Sequence, residues 1–291
     1  MKKFNLRSAL FLVLITLLST SSFIQSSSAQ STLWTITGNG LEAPSYLFGT
    51  IHIICEDDYE MTETLEEVIK ETDKVVFEID LDDPSMAAKM GTLMLDPEMR
   101  DLSSDLSEED ANTLDAYFNQ NFGQGIQQLN KLRPFALLSM IMLKAYECPT
   151  KQYETEIMGL AIENKKPIEG LETIEFQMNV IDENFDRKEQ LASLLEYVED
   201  PEEVKEMLDK IVASYKEKDI KALYALMEQY EEYDGFNEVM LKNRNLDWMD
   251  KLEDQMAKNS LLVAVGAGHL GGEYGVISLL RKAGYTVEPK M

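Results

Sequence analysis

Two histidines are present in 291 residues, and both sit in the same four-residue frame. Gly49-Thr50-Ile51-His52 lies near the start of the chain, and Gly266-Ala267-Gly268-His269 lies near its end. Each frame follows a run that reads as a strand: Tyr46-Leu47-Phe48 before the first, Leu261 to Val265 before the second. Histidines so far apart in sequence meet only in a fold that brings its two ends together. The repeated frame therefore points to one composite site, metal-binding and hydrolytic in character.

A neutral imidazole ligates a divalent metal or transfers a proton at physiological pH. The loop glycines Gly49, Gly266 and Gly268 allow sharp turns and close approach of backbone to a ligand. They also suit a plain helix-entering turn. Two imidazoles rarely complete a metal site, so acidic residues are expected beside them. Glu78 leads, because it ends the apolar run Val75-Val76-Phe77 and would expose a carboxylate at the end of a strand. Asp80 shares its side of a regular strand, and Glu154 and Glu172 are further candidates. Each could equally be a surface carboxylate. In such a site a metal polarises a carbonyl and lowers the pKa of water, while a carboxylate accepts the proton. Arg244, one of few arginines in an acidic chain, could clamp a substrate carboxylate or stabilise an oxyanion, and a structural bridge to nearby acids is the plain alternative.

Competing chemistries find little support. The sequence has no Gly-x-Ser-x-Gly elbow, HExxH helix, Walker loop or dinucleotide fingerprint. Cys55 stands three residues after His52, but adjacency in sequence is not triad geometry.

The organisation reads as α/β or α+β: a mixed central sheet with a largely helical middle region. Thr32 to Ile36 and Tyr46 to Phe48 flank a Gly-, Asn- and Pro-containing turn, as in a hairpin. A helix is expected over Thr62 to Glu71 and a buried strand over Lys74 to Ile79. Helical periodicity then covers Glu108 to Phe118, Pro134 to Lys144, Tyr153 to Asn164, Gln190 to Tyr197, Glu202 to Lys216 and Asp219 to Tyr230. Pro167 to Glu172 reads as a short strand between helices. Leu261 to Gly266 and Tyr285 to Val287 are expected as strands around a helix within Gly272 to Lys282. Val204, Met207, Leu208, Ile211 and Tyr215, like Met227, Met249 and Met256, read as core.

Residues 1–29 read as a signal peptide. Lys2, Lys3 and Arg7 precede an apolar stretch from Ala9 to Leu18, and Ser27-Ser28-Ala29 suits cleavage after Ala29. An uncleaved anchor is the alternative, disfavoured by an apolar run shorter than a bilayer needs. The protein is then exported, periplasmic or secreted, with no transmembrane span in the mature chain and residues 30–291 as one composite domain. The formal net charge is −26, and removal of the leader makes it more negative. Such a surface repels nucleic acid and anionic membranes. Cys55 and Cys148 could form a disulfide in an oxidising compartment, with free thiols or a metal role as alternatives.

The ordered motifs resemble the TraB/GumN family, itself related to TIKI-like metalloproteases and to erythromycin-esterase-like and ChaN-like proteins. The resemblance is carried by Tyr46 to His52, Val76 to Asp80, Tyr153-Glu154, Lys166 to Thr173, Arg244-Asn245, Val265 to Leu270 and Gly284 to Val287. It implies a compact fold in which the two histidine motifs converge beside acidic residues. By that likeness His52, Glu78 and His269 hold a divalent metal ion (Mn, Co or Zn), and Arg244 joins them in catalysis. The leading expectation is an exported metal-dependent hydrolase, most concretely a peptidase acting on an exported peptide or protein. The alternatives are a noncatalytic metal- or ligand-binding envelope protein, and a non-peptide hydrolase such as an esterase. The sequence sets neither the oligomeric state nor the substrate.

Overall fold

A computed structural model describes residues 30–230 and 235–291. The expected signal peptide lies outside the described residues. Eight strands are formed: β1 (Leu33–Gly38), β2 (Ser45–Thr50), β3 (Ile54–Cys55), β4 (Lys74–Ile79), β5 (Thr150–Lys151), β6 (Ile168–Glu172), β7 (Leu261–Gly266) and β8 (Tyr285–Pro289). Six of them make one mixed sheet in the order β6-β4-β7-β2-β1-β8, and β3 pairs with β5 separately.

The sheet has a parallel half and an antiparallel half. β2, β7, β4 and β6 run parallel, while β1 is antiparallel to both β2 and β8. Every residue of β2 and β7 is buried. That explains the apolar runs Tyr46 to Phe48 and Leu261 to Val265: strands covered on both faces have no solvent side to mark with alternating polar residues. Register fixes where they stop. Thr50 pairs with Gly266, and Ile79 pairs with Glu172. The carboxyl ends of four parallel strands therefore lie together, the usual place for a site in a parallel sheet.

Helices surround this sheet, and their starts are legible in the capping residues. The Thr62 side chain accepts from the Leu65 N–H and opens the helix Glu63–Glu71, which buries Leu65, Val68 and Ile69. Ser107 does the same for Glu108–Phe122, which ends at Gly123 in the left-handed region (φ +68°). The expected strands and helices are present, with ends displaced by a few residues.

The helices Met86–Leu93, Ile126–Leu129 and Ile174–Asn184 were not anticipated. Met86–Leu93 has a short stripe, Met86, Met90 and Leu93, that is only half-buried. Ile174–Asn184 has a buried one in Ile174, Met178 and Ile181, but only Thr173 separates it from β6.

The hydrophobic core has two clusters. The larger covers the sheet and its flanking helices, including Phe77, Leu262, Val263, Trp248 and Leu252. A second lies within the helical middle, around Leu102, Phe118, Leu137, Ile141 and Leu194. Burying each such side chain is worth about 1.5–3 kcal/mol. Among the described residues no helix is long and apolar enough to cross a membrane.

Candidate functional site

His52 and Glu78 sit at the carboxyl ends of β2 and β4, and His269 ends the turn Ala267–His269 directly after β7. Gly266 stands at their meeting point. A Cβ placed on it would lie 3.3 Å from Glu78 Oε1, 3.4 Å from His52 Nε2 and 3.7 Å from His269 Cδ2. The two histidines and Glu78 therefore converge on one glycine, which leaves the space a side chain would fill. Gly49 and Gly268 serve close packing in the same way, against Ala267 with Leu270 and against Met227. Neither they nor Gly266 adopts positive φ, so close approach rather than a left-handed turn explains them.

The two imidazoles differ in setting. His269 is buried, 4% exposed, whereas 68% of the His52 side chain is exposed. His52 Nδ1 meets Glu154 Oε1 at 2.7 Å, and Thr50 Oγ1 donates to the same oxygen at 2.6 Å. Desolvation opposes protonation of His52, but the Glu154 hydrogen bond and charge outweigh it and raise its pKa to about 9. His269 behaves oppositely. Burial, reinforced by the Arg244 charge and only partly offset by Glu78, lowers its pKa to about 3.

Glu78 divides its two oxygens between different partners. Oε1 accepts from the Gly266 N–H at 2.8 Å and lies 3.7 Å from His269 Nε2. Oε2 accepts from Arg244 Nη2 at 2.6 Å and Gln177 Nε2 at 3.1 Å. Desolvation would raise its pKa, yet His269, Arg244, His52 and the Gly266 N–H together hold it well below the usual carboxylate range.

Arg244 lies beneath these groups, 5% exposed. A π-helical segment, Glu238–Asn243, delivers it into the helix Arg244–Met256. Such insertions often occur at functional positions. Its guanidinium donates to Glu78, to Glu172, to the Met240 carbonyl at 2.8 Å and towards His269 Nε2 at 3.3 Å. Glu172 accepts from Arg244 Nε at 2.9 Å and Nη2, from Gln177 at 2.7 Å and from the Trp248 indole at 3.0 Å. Its acceptor capacity is used, so it anchors the arginine and is poorly placed to ligate or to act as base. Asp80 stays apart. It is exposed beyond the end of β4, and its pKa is raised by partial burial and by Asp82 and Asp83.

A divalent metal ion would meet suitable donor types here. His52 Nε2, Glu78 Oε1 and the Cδ2 edge of His269 border the same space, His269 Nε2 lies 3.7 Å from Glu78 Oε1, and each histidine Nδ1 is already held by an acceptor. As the side chains stand, no three His, Cys, Asp or Glu groups among the described residues form a set that could hold an ion. Arg244 donates to one of the nitrogens, so a metal ligated there displaces that contact. The donors fit in kind: His52, Glu78 and His269 are the residues that would hold such an ion.

A disulfide joins Cys55 to Cys148, with a Cα–Cα distance of 5.7 Å. It reinforces the β3–β5 pairing and the Glu56 N–H to Pro149 carbonyl bond. The loop after His52 is thereby fixed to the segment that leads into Glu154. A bridge of this kind fits an exported protein.

Asn245, Gln177, Thr50 and Trp248 also touch the cluster, and sequence reasoning gave none of them a role. Asn245 adjoins Arg244 and could have been suspected on that ground. Gln177 lies on one of the unanticipated helices, and nothing local marks it.

Residues 32–289 match the model of the TraB/PrgY/gumN family, and the chain belongs to that family. No curated protein and no solved structure matches it.

Proposed function

From membership of the TraB/PrgY/gumN family, we propose that this protein is an exported metal-dependent hydrolase, most concretely a peptidase. One observation carries the reading: two imidazoles, each with Nδ1 held by an acceptor, border the same Gly266 space as the free face of Glu78 Oε1. A divalent ion held by His52, Glu78 and His269 would supply Lewis acidity to a carbonyl and acidify water.

The chain's own residues supply the rest. Arg244 and Gln177 occupy Glu78 Oε2 and keep Oε1 turned toward the histidines. His269, buried and neutral, offers a lone pair at neutral pH. His52 is exposed at the mouth, and Glu154 at its Nδ1 would orient Nε2 toward the ion. The proton on His52 must leave Nε2 before that atom can ligate, which couples metal binding to pH. The acidic surface argues against nucleic acid as substrate.

A second reading is favoured by a specific contact. Arg244 Nη1 lies 3.3 Å from His269 Nε2, so the site already contains a cation at its centre. Hydrolysis without a metal would use the His52–Glu154 pair as base only as pH rises through about 9, with Arg244 as oxyanion support, which suits an activated ester better than a peptide.

Metal content of the purified mature protein, beside its His52→Ala and His269→Ala variants, separates the readings when peptide and ester turnover are recorded together. Near-stoichiometric metal and peptide turnover, both lost in the two variants, support the first reading. Ester turnover unaffected by chelation supports the second. Stoichiometric metal without turnover points to a binding protein.

A further inference from the structure

The two histidines are held through their Nδ1 atoms by chemically different partners. His52 has the carboxylate of Glu154, which can accept but also attract a second proton to the ring. His269 has the amide of Asn245, 2% exposed, with Nδ1 to Oδ1 at 2.6 Å. The orientation of that amide is fixed from its other side. Asn245 Nδ2 donates to the His269 carbonyl at 3.2 Å and to the Tyr274 carbonyl at 2.9 Å, two groups that can only accept. The atom facing His269 Nδ1 is therefore the amide oxygen, and Nδ1 carries the hydrogen.

Arg244 gives the same answer from the opposite edge of the ring. A guanidinium has no acceptor, so its Nη1 contact at 3.3 Å requires a lone pair on His269 Nε2. Two independent partners thus select one tautomer, whereas a neutral imidazole free in water favours hydrogen on Nε2. The Trp248 ring, 4.4 Å from the His269 ring and tilted by 36°, fixes its plane but not its tautomer.

We infer that Asn245 is a positioning residue that holds His269 as the Nδ1–H tautomer, presenting the Nε2 lone pair to the space shared with His52 and Glu78. Hydrogen bonding at one ring nitrogen decides what the other can do. The role deepens the hydrolytic reading, because only this tautomer can ligate or accept through Nε2. The structural assignment stands without that reading.

With only two histidines, the imidazole nitrogens of the 15N-labelled full mature chain can be read directly by long-range proton–nitrogen correlation. A His52→Gln spectrum assigns the remaining ring as His269. At pH 7 the wild type is expected to show a protonated Nδ1 and a bare Nε2. Hydrogen on Nε2, or averaging between the two forms, overturns the inference. Asn245→Leu, checked for folding by near-ultraviolet circular dichroism, is expected to move the ring to an average of the two forms, since Arg244 alone then opposes the solution preference for hydrogen on Nε2. A folded variant with an unchanged ring also overturns it. Should that variant not fold, the wild-type spectrum still decides.

Zn2+ titration of the same samples adds a readout independent of turnover. The variant is expected to bind Zn2+ about 10- to 100-fold more weakly. A wild type with the Nδ1–H ring but no Zn2+ affinity supports the role of Asn245 and removes the metal from the proposed function.

Discussion

Replacing Arg244 by methionine keeps much of its length and removes its charge. The cost is set by the groups around it. Arg244, Glu78 and Glu172 are 5%, 12% and 6% exposed, and both carboxylates take charged hydrogen bonds from the one guanidinium. Without it two buried carboxylates remain, with hydrogen bonds from Gln177, the Gly266 N–H and the Trp248 indole, and Glu78 keeps the histidines as its remaining counter-charges. Breaking a buried ion pair by removing one partner costs about 3–5 kcal/mol, because the remaining charge stays desolvated. With a urea m-value of about 3 kcal/mol/M, the unfolding midpoint at pH 7 is expected to fall by about 1–1.7 M.

The pH dependence makes the test specific. In the wild type the folded pKa of Glu78 is depressed below its unfolded value. Its stabilisation is therefore full above the unfolded carboxylate range and is lost as pH falls towards the folded value. In Arg244→Met, burial acts unopposed by the guanidinium and the folded pKa is expected above the unfolded one. The variant should then gain stability on acidification from pH 7 to 5, while the wild type does not. Adding Glu172→Gln to Arg244→Met should recover part of the loss, since it removes one uncompensated charge. A loss below about 1 kcal/mol, or pH profiles that run parallel, would refute the account of Arg244 as the central counter-charge.

Reducing the Cys55–Cys148 bridge releases a sequence separation of 93 residues, which on the chain-entropy model destabilises the protein by about 4–5 kcal/mol. Urea unfolding with and without reductant measures this, and a Cys55→Ser/Cys148→Ser variant that is insensitive to reductant serves as control. In proton NMR titrations one histidine should titrate near pH 9 and the other should stay neutral from pH 5 upward. Stability conferred by His52 protonation is present below its unfolded pKa and fades as pH rises through about 9, and Glu154→Gln should abolish that dependence. Two histidines both titrating near the ordinary value of about 6.5 would contradict the geometry. Gly266→Ala puts a methyl group against Glu78 Oε1 and His52 Nε2, so turnover is expected to drop about 10- to 100-fold. The same change should leave thermal stability nearly as it was; unchanged turnover would mean that the space beside Gly266 is not used.

Legibility in the sequence depends on where information is local. The strand Lys74–Ile79 was readable because Val75-Val76-Phe77 must be buried on both faces, and Glu78 could be picked out as the first polar group at its end. The histidines were readable because there are only two, in one repeated frame. The acids were harder, since this chain has 53 and spacing alone cannot rank them. Glu154 reaches His52 only because the β3–β5 pairing and the disulfide fold residue 148 back onto residue 55. Glu172 and Asp80 looked alike in sequence, yet strand register places Glu172 beside Ile79, under Arg244, while Asp80 passes the end of β4 into solvent. Gln177 was invisible because an amide on a helix surface is ordinary until a neighbouring strand supplies two carboxylates for it. The site is thus composed of a part written in local motifs, which are the histidines and the glycines beside them, and a part written only in topology. The second part decides how the first is charged. The acid brought to His52 Nδ1 outweighs desolvation and raises that ring to about 9, while burial and the Arg244 charge lower His269 to about 3.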